Sequence, residues 1–243
     1  MQMKNKIKLV AMDLDGTLTQ HRETLKEENR QALDMLSKKY KLIMVGAGQV
    51  NRIFNQLGKY PIDIIGNYGL QYATYNHETG EIDVKRDVVL PVNREEIEKR
   101  VTALREKYGF TEFRGDNVEF HVSGCVTFPI LGTKAIQEDK LAFDPDRKKR
   151  RAIYDEVCAT FPEYNVFVGG SSSFDMSPKP YNKYCALDLY CKENGLSHSE
   201  VAYIGDDYGR GGNDENVYLA DFNYFKIDDY TTFKEIIKPL LED

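Results

Sequence analysis

The sequence predicts an α/β fold in which a parallel sheet is interrupted by an inserted α+β domain. Apolar runs alternate with helical patterns before residue 66 and again after residue 182. This alternation is typical of strand–helix–strand units with right-handed crossovers. Between residues 86 and 177, short strand patterns are grouped with two charged helical patterns, as in an α+β domain. A chain of 243 residues is long enough to hold both parts.

The first part of the core is predicted to contain three strands separated by two helices. The run Ile-Lys-Leu-Val-Ala-Met is short and mostly apolar, as expected for a strand buried in a parallel sheet. The segment after it places apolar residues at helical spacing. The predicted strands are residues 7–12, 40–45 and 62–65, and the predicted helices are residues 24–39 and 49–58.

The inserted segment is predicted to contain two charged helices, Asn93–Tyr108 and Pro145–Phe161. A basic run from Asp146 to Arg151 opens the second helix, and we interpret it as a solvent-exposed face. The predicted strands of the insert are residues 113–114, 118–122, 126–130, 165–168 and 174–177.

After the insert, the chain returns to a Rossmann-like core. This part is predicted to contain a helix over residues 183–194 and strands over residues 201–204 and 223–227. We therefore predict a core formed by residues 1–85 and 178–243, and a cap formed by residues 86–177.

Composition argues against several classes of protein. A net charge of −6 argues against non-specific binding to nucleic acid or to an anionic membrane. No apolar stretch approaches the roughly 18 residues that a membrane helix needs. The four cysteines and four histidines show neither metal-ligand spacing nor clustering, so we expect free thiols and no zinc site. No signal-peptide pattern precedes the first strand, and we expect a cytoplasmic protein.

Two strand ends of the predicted sheet carry carboxylates. Asp13 and Asp15 follow the first strand, and Gly205-Asp206-Asp207 follows the strand over residues 201–204, with Asn213 and Asp214 a few residues later. Open α/β sheets bind ligands at this edge. Because Mg²⁺ prefers oxygen ligands, which carboxylates from two neighbouring strand ends can supply, the pattern predicts a magnesium site.

Lys183 opens the helix that returns the chain to the core. A lysine at such a position is usually a solvated surface residue, and the sequence by itself favours that interpretation. The alternative is functional, because a lysine beside several carboxylates neutralises them and can hold a phosphate oxygen.

These motifs resemble those of the haloacid dehalogenase-like superfamily, in its branch with a type IIB cap, and within it the eukaryotic-type phosphomannomutases. The sequence D-x-D-G-T together with G-D-x(6)-N-D is specific for the superfamily. The matching segments extend over nearly the whole chain. They are Asp13–Thr19 with Arg22, Gln56–Gly58, Tyr68–Leu70, Glu112–Arg114, Gln137–Phe143, Ser173–Asp175, Lys183–Cys185 and Gly205–Asp214.

The resemblance implies a role for each matched residue. Asp13 would be the nucleophile that forms an aspartyl-phosphate, and Asp15 would be the general acid and base. Asp13, the backbone carbonyl of Asp15 and Asp206 would bind Mg²⁺, while Lys183 would hold the phosphate and the nucleophile. The residues expected to bind the phosphate or the sugar phosphate are Gly16, Arg22, Gly48, Arg114, Lys140, Ser173, Asp175 and Asn213.

Three positions depart from the pattern of the resembled family. Gly48 stands where a Ser or Thr would hydrogen-bond the phosphate, although the N–H groups of a Gly-rich turn can still form an anion nest. Thr133 and Lys140 stand where two cap arginines would clamp a distal phosphate. Thr133 has no charge, and Lys140 cannot form the bidentate fork of an arginine.

The weakened clamp favours a Mg²⁺-dependent phosphatase that acts on a hexose phosphate. The alternative is a phosphomannomutase or phosphohexomutase that uses the same Asp13 nucleophile. A third interpretation, for which Gly48 is the only argument, is a catalytically weak sugar-phosphate-binding protein. The expected partner is a small-molecule sugar phosphate, with no nucleic acid and no membrane, and the resemblance implies a possible homodimer.

Overall fold

The computed structural model describes residues 6–242, which contain eleven strands and nine α-helices. The strands are β1 (Leu9–Met12), β2 (Lys41–Val45), β3 (Asp63–Gly66), β4 (Gln71–Asn76), β5 (Glu81–Asp87), β6 (Glu119–Phe120), β7 (Val126–Pro129), β8 (Tyr164–Phe167), β9 (Ser173–Pro178), β10 (Val201–Gly205) and β11 (Asn223–Lys226). The helices are α1 (Glu27–Ser37), α2 (Val50–Gln56), α3 (Arg94–Tyr108), α4 (Gln137–Phe143), α5 (Lys148–Thr160), α6 (Lys183–Glu193), α7 (Glu215–Tyr218), α8 (Phe233–Ile236) and α9 (Lys238–Glu242).

The chain divides into two compact units. The first consists of Met1–Asp87, Lys183–Gly209 and Asp214–Asp243, and the second of Val88–Asn182 and Arg210–Asn213. The second unit therefore overlaps the predicted cap over residues 88–177 and also takes in residues 178–182 and 210–213. Among the described residues, no helix is long and apolar enough to cross a membrane.

The first unit is built on a seven-stranded sheet in the order β11-β10-β1-β2-β3-β4-β5. The five strands β11, β10, β1, β2 and β3 are parallel, as in a Rossmann-like core. All four residues of β1 are buried, because helices cover both faces of a parallel sheet. Met12 pairs with Ile204 of β10 and with Met44 of β2, so the loops after these strands leave the same sheet edge side by side.

The hairpin β4–β5 was not among the predicted strands. It extends the sheet with two antiparallel strands whose residues are mostly half-buried or exposed. Such a hairpin at a sheet edge has no continuous apolar run, which is the pattern that identified the central strands. Side-chain hydrogen bonds stabilise its turn, since the Asn76 side chain accepts from the N–H groups of Glu78 and Thr79.

The second unit contains a four-stranded antiparallel sheet in the order β6-β7-β9-β8 and the helices α3, α4 and α5. Its apolar core includes the fully buried rings of Phe128, Phe161 and Phe174. The two charged helices α3 and α5 were predicted, whereas the short helix α4 was not. None of the residues of α4 is buried, so this helix has no apolar periodicity to reveal it.

The predicted strand at Phe113–Arg114 is wrong. Arg114 donates its N–H to the carbonyl of Leu131 and accepts from the N–H of Lys134, at 2.9 Å in each case. These partners lie in a turn around Gly132 rather than in a strand. The backbone of Arg114 is therefore hydrogen-bonded within a local turn, and residues 113–114 form no strand of the sheet.

The interpretation of the basic run as a solvated face is wrong for Arg150. Its side chain is 1% exposed, and its Nε lies 2.9 Å from Oδ2 of the fully buried Asp144. Its NH1 group also donates to the carbonyl oxygens of Gly169 and Ser173. By contrast, Lys148 in the same run is 84% exposed. Arg150 therefore ties α5 to the loop between β8 and β9.

Candidate active site

The carboxyl ends of β1 and β10 bring three carboxylates together. One oxygen each of Asp13, Asp206 and Asp214 lies within 4.8 Å of the others. Asp13 is buried directly after β1, and its N–H donates to the carbonyl of Ile204 in β10 at 3.0 Å. Asp206 is held from the first loop, because the hydroxyl of Thr17 donates to its Oδ1 at 2.9 Å.

Lys183 lies inside this cluster with its side chain 0% exposed. Its Nζ is 2.9 Å from Oδ1 of Asp13 and 2.8 Å from Oδ1 of Asp214. The surface interpretation of Lys183 is therefore wrong. A lysine is rarely buried unless it is paired, and the two carboxylates pair this one.

Asp214 is a central residue of the cluster, to which the sequence assigned a place near this strand end but no role of its own. Its Oδ1 accepts from Lys183 and from the hydroxyl of Tyr203 at 2.5 Å, while its Oδ2 accepts from the N–H of Asp207 at 3.2 Å. These three hydrogen bonds fix the orientation of the carboxylate. Asp214 therefore positions Lys183 and the loop that carries Asp206. Its place at the end of the G-D-x(6)-N-D motif located it in the sequence, but its hydrogen-bond partners are visible only in the structure.

The cluster carries more negative than positive charge. Three carboxylates face one buried ammonium group, which leaves an excess of two negative charges. Burial raises the pKa of the Asp13 carboxyl well above its ordinary value against the opposing charge of Lys183, and Asp214 and Asp206 add to the rise. Burial and the neighbouring Asp214 likewise raise the pKa of Asp206 to about 6. The two carboxylates beside Lys183 raise its pKa, although burial acts in the opposite direction.

The donor set fits a hard divalent cation. Mg²⁺ binds carboxylate oxygens, and two positive charges would compensate the excess of two negative charges. The hydroxyl of Tyr224 is buried without a hydrogen-bond partner among the described residues, and burial together with the nearby carboxylates raises its pKa. A buried polar atom with no partner is consistent with a further group at this site, such as an ion or water. Asp13 and Asp206 are the residues best placed to hold the ion, because Asp214 is already occupied by three donors.

Asp15 has a different environment from Asp13. Its Oδ1 accepts from the N–H of Arg22 at 2.8 Å and from the side chain of Gln56 at 2.7 Å. Its Oδ2 lies 3.2 Å from both terminal nitrogens of Arg52. Burial would raise the pKa of Asp15, but the hydrogen bonds from Arg22 and Gln56 and the charge of Arg52 hold it below its ordinary value. Asp15 is therefore ionised, which is the state that accepts a proton.

The turn directly after Asp15 requires a glycine. Gly16 has a φ of +97°, and a Cβ built on it would lie 2.3 Å from Oδ2 of Asp206. Both the backbone conformation and the close approach of Asp206 exclude a side chain. Gly16 therefore allows the loop after β1 to touch the loop after β10.

Three predicted residues of the cap lie close together in the second unit. The NH1 group of Arg114 is 3.9 Å from a carboxylate oxygen of Asp139, and Nζ of Lys140 is 3.5 Å from the carbonyl of Thr133. The Thr133 hydroxyl donates to the Asp116 carboxylate and accepts from its N–H, at 2.9 Å in both cases. Thr133 thus closes a local turn and brings no charge to this patch, in which Arg114 and Lys140 lie near the carboxylates of Asp139 and Asp116.

Ser173 and Asp175 also lie together, on β9 of the second unit. The Ser173 hydroxyl is 3.4 Å from Oδ1 of Asp175, and the Thr127 hydroxyl donates to the same oxygen at 3.1 Å. Nε2 of His121, the residue that follows β6, is 3.1 Å from the Thr127 hydroxyl of β7, so His121, Thr127 and Asp175 are linked by consecutive hydrogen bonds. Thr127 and His121 were not predicted, and no motif marked them. Asn213 belongs to the short segment 210–213 of this unit.

Comparison with known proteins identifies the family of this chain. Residues 29–225 match the model of the family described as eukaryotic phosphomannomutase. The chain belongs to this family. It is 27% identical to the phosphomannomutase of Saccharomyces cerevisiae over 222 residues, which is 88% of this chain and 85% of the yeast protein. It is 25% identical to the phosphomannomutase of Dendrobium officinale, again over 88% of this chain and 85% of the relative.

Solved structures support the haloacid dehalogenase-like fold. IMP-bound, N-terminally truncated IMP-nucleotidase of Plasmodium falciparum superposes with a TM-score of 0.67 at 16% identity, over 99% of this chain and 70% of that one. A haloacid dehalogenase-like hydrolase of Bacteroides thetaiotaomicron gives a TM-score of 0.54 at 17% identity, over 97% and 100% of the two chains. At these identities the likeness concerns the fold alone. The predicted Rossmann-like core with a cap, and the resemblance to the superfamily, are confirmed.

Proposed function

We propose that this family member is a Mg²⁺-dependent phosphohexomutase that moves a phosphoryl group between two hydroxyls of a hexose through an aspartyl-phosphate on Asp13. The observation that carries the proposal is the buried cluster of Asp13, Asp206, Asp214 and Lys183, in a chain matched to the phosphomannomutase family over both of its units. This reverses the preference for a phosphatase drawn from the sequence, because the relatives are named as phosphomannomutases.

In the first step, a hydroxyl of the hexose phosphate attacks the phosphorus of phosphorylated Asp13. A new sugar O–P bond forms, the bond from Asp13 to phosphorus breaks, and the hydroxyl proton passes to Asp15. Asp15 is suited to accept it, since hydrogen bonds from Arg22 and Gln56 keep it ionised. The product of this step is a hexose bisphosphate bound beside a free Asp13 carboxylate.

In the second step, the bisphosphate presents its other phosphate and Asp13 attacks it. The bond between that phosphorus and the sugar oxygen breaks, and Asp15 returns its proton to this oxygen. Lys183 holds Asp13 in place and spreads the charge that develops on the phosphoryl group. A Mg²⁺ ion held by Asp13 and Asp206 would supply further charge stabilisation. Phosphorylated Asp13 is regenerated, so a trace of bisphosphate is enough to prime the enzyme.

The runner-up function is hydrolysis of the same substrates. One observation favours it: the Thr133 hydroxyl is engaged with Asp116 and brings no charge to the patch of Arg114 and Lys140. A mutase must keep the hexose bisphosphate bound while this intermediate reorients, whereas a phosphatase does not need to bind a bisphosphate.

The decisive experiment measures how the reaction partitions between isomerised product and free phosphate. The protein is incubated with mannose and glucose 6-phosphates in Mg²⁺, with and without a trace of hexose 1,6-bisphosphate. We expect conversion to the 1-phosphate to depend on the bisphosphate and to exceed phosphate release. If phosphate release is faster than isomerisation and does not depend on bisphosphate, the proposed mutase function is wrong and the protein is a phosphatase.

Asp13→Asn is the matched control for this assay. The amide keeps the shape of Asp13 but cannot attack phosphorus and is a poorer metal ligand. Turnover should fall by at least about 10³-fold. Activity close to that of the wild type in this variant would show that another residue is the nucleophile.

A further inference from the structure

The loop Asp206–Asp214, here called the metal loop, has its base and its tip in different units. Its base, Asp206–Gly209 and Asp214, belongs to the first unit, whereas its tip, Arg210–Asn213, belongs to the second. Two hydrogen bonds close the base. The N–H of Asp214 donates to the carbonyl of Asp207 at 3.1 Å, and the N–H of Asp207 donates to Oδ2 of Asp214 at 3.2 Å. The loop therefore begins and ends at the acid cluster, while four of its residues fold with the other unit.

The tip of the metal loop is held by buried contacts. Gly211 is buried, and its carbonyl accepts from the N–H of Val168, the residue that follows β8, at 2.7 Å. A Cβ built on Gly211 would lie 2.9 Å from Cγ2 of Val168 and 3.1 Å from Cε2 of Tyr154 in α5. Its φ of +76° also favours glycine. Gly211 is thus packed against α5 and the end of β8, with no room for a side chain.

Two side chains of α5 add to this contact. The carboxylate oxygens of Asp155 lie 2.5 and 2.6 Å from NH2 of Arg210, and Nε of Arg151 donates to the Arg210 carbonyl at 3.2 Å. Asp155 is 79% exposed, so its ion pair contributes little stability by itself. The buried contact of Gly211 is therefore the main anchor of the tip, and the α5 side chains support it.

The chain leaves the second unit at the two partners of a buried ion pair. The parts of this unit end at Asn182 and at Asn213, and the next residues are Lys183 and Asp214. Nζ of Lys183 is 2.8 Å from Oδ1 of Asp214, and both side chains are 0% exposed. The same ammonium group lies 2.9 Å from Asp13. Each partner of the pair is thus covalently joined to a residue of the second unit.

We propose that Gly211 and Arg210 are positioning residues: by packing on α5 and the end of β8, they hold Asp214, and through it Lys183 and Asp13, in the arrangement that binds Mg²⁺. Neither residue has to touch the ion or the substrate. The role of Asp13 as the nucleophile rests on the proposed function, whereas the contacts of the loop do not. The second unit then contributes to the metal site, in addition to any contact that it makes with the hexose phosphate.

The first test is amide hydrogen exchange of the Asp207 and Asp214 N–H groups, followed by NMR in the full-length protein without metal. In Gly211→Ala, the new Cβ should displace the tip, so both groups should exchange at least about 5-fold faster. Gly109→Ala is the matched control in the same unit. Gly109 has a φ of +71°, but no atom of the described residues beyond its chain neighbours lies within 4 Å of its Cβ position. Gly109→Ala should leave both exchange rates unchanged.

The second test is the affinity for Mg²⁺, measured by calorimetry. Gly211→Ala should raise the Kd for Mg²⁺ by about 5-fold, because Asp206 and Asp13 lose the support of the loop base. Gly109→Ala should keep the Kd within about twofold of the wild type, since its backbone strain lies outside the loop. Circular dichroism and melting temperatures check that each variant is folded.

A variant of α5 keeps the inference testable should Gly211→Ala fail to fold. The double variant Arg151→Ala/Asp155→Ala removes both side-chain contacts to Arg210 and leaves Gly211 in place. Exchange and Kd should change in the same direction, by about 3-fold, as for a lost surface ion pair and hydrogen bond. The control is Glu156→Ala, which removes the partner of Lys107 on the same helix and should change neither quantity.

The inference is overturned if exchange and the Kd for Mg²⁺ in folded Gly211→Ala match those of Gly109→Ala. Where Gly211→Ala does not fold, a match between the α5 double variant and Glu156→Ala has the same meaning. Faster exchange with an unchanged Kd would also overturn it, since the tip would then order the loop without positioning the cluster. Failure of the proposed function is a different outcome: the wild type would turn over no hexose phosphate, while exchange and Mg²⁺ binding could still be measured.

Discussion

Lys183 and Asp13 form an ion pair of 2.9 Å that is closed to solvent and joins the first turn of α6 to the end of β1. The lysine side chain is 0% exposed and the aspartate side chain 8%. The same Nζ also reaches Asp214, so one ammonium group organises both loops of the acid cluster. Positioning of the nucleophile therefore depends on the point where the chain re-enters the core.

Replacing Lys183 with Met should strongly destabilise the fold. The change leaves buried carboxylates without a counter-charge, and breaking a buried pair on one side costs about 3–5 kcal/mol. The free energy of unfolding is measured by urea denaturation at neutral pH. The control is Lys192→Met on the same helix, whose lysine is 71% exposed and pairs with Asp188; its effect should stay within about 1 kcal/mol. Equal losses in the two variants would contradict the role of Lys183.

The stability of the metal-free protein should depend on the protonation of Asp206. Its pKa is raised to about 6 in the folded state, above its ordinary value of 3.8, so its ionisation disfavours folding. In EDTA, the wild type should lose stability relative to Asp206→Asn as the pH rises from about 4 to 6, and stay below it at higher pH. The difference in melting temperature between the two proteins measures this effect.

Adding Mg²⁺ should reverse that order at neutral pH. The ion binds ionised carboxylates of the folded state and stabilises the wild type, whereas Asp206→Asn has lost a charged ligand. The amide oxygen of the asparagine can still accept the hydrogen bond from Thr17, so the loop itself is preserved. A melting temperature that does not respond to Mg²⁺ in the wild type would refute the metal site.

Gly16→Ala should abolish activity, and backbone strain at this position does not by itself account for the loss. Gly16 has a φ of +97°, and its Cβ would meet Asp206 at 2.3 Å, so alanine would push this carboxylate out of the cluster. Gly80→Ala is the matched control, because its φ is +71° but the nearest atom, the hydroxyl of Tyr75, is 3.8 Å away. Both variants should lose about 1 kcal/mol of stability from strain. Turnover should fall only in Gly16→Ala, and an equal fall in both would contradict this.

Arg150→Met should lower the free energy of unfolding of the second unit. The change leaves Asp144 buried without its partner and removes the donors to the carbonyls of Gly169 and Ser173, at a cost of about 3–5 kcal/mol. Lys148→Met removes a charge from the same basic run at a side chain that is 84% exposed, and should change the free energy of unfolding by less than about 1 kcal/mol. Urea denaturation of the two variants compares the effects, and a Lys148 variant as unstable as the Arg150 variant would refute the distinction.

The central strands and the two acidic strand ends could be predicted from the sequence by itself. A strand buried on both faces needs an unbroken apolar run, and β1, β2 and β10 each show one. Because parallel strands end at a common edge, the positions of Asp13 and Asp206 in the chain are sufficient to place them together. The hairpin β4–β5 and the helix α4 escaped prediction because neither has a continuous buried face that leaves a periodic pattern.

The partners of the charged residues were decided only by the tertiary structure. Nothing in the local sequence distinguishes the buried Lys183 and Arg150 from the exposed Lys192 and Lys148, since each lies in a helix of mixed charge. Their burial depends on carboxylates and carbonyls supplied by distant loops. The occupation of the space beside Gly48 by Arg52 likewise depends on how α2 packs after β2. Sequence patterns record which faces of the chain are apolar, whereas the pairing of charges depends on where the folded chain brings remote segments together.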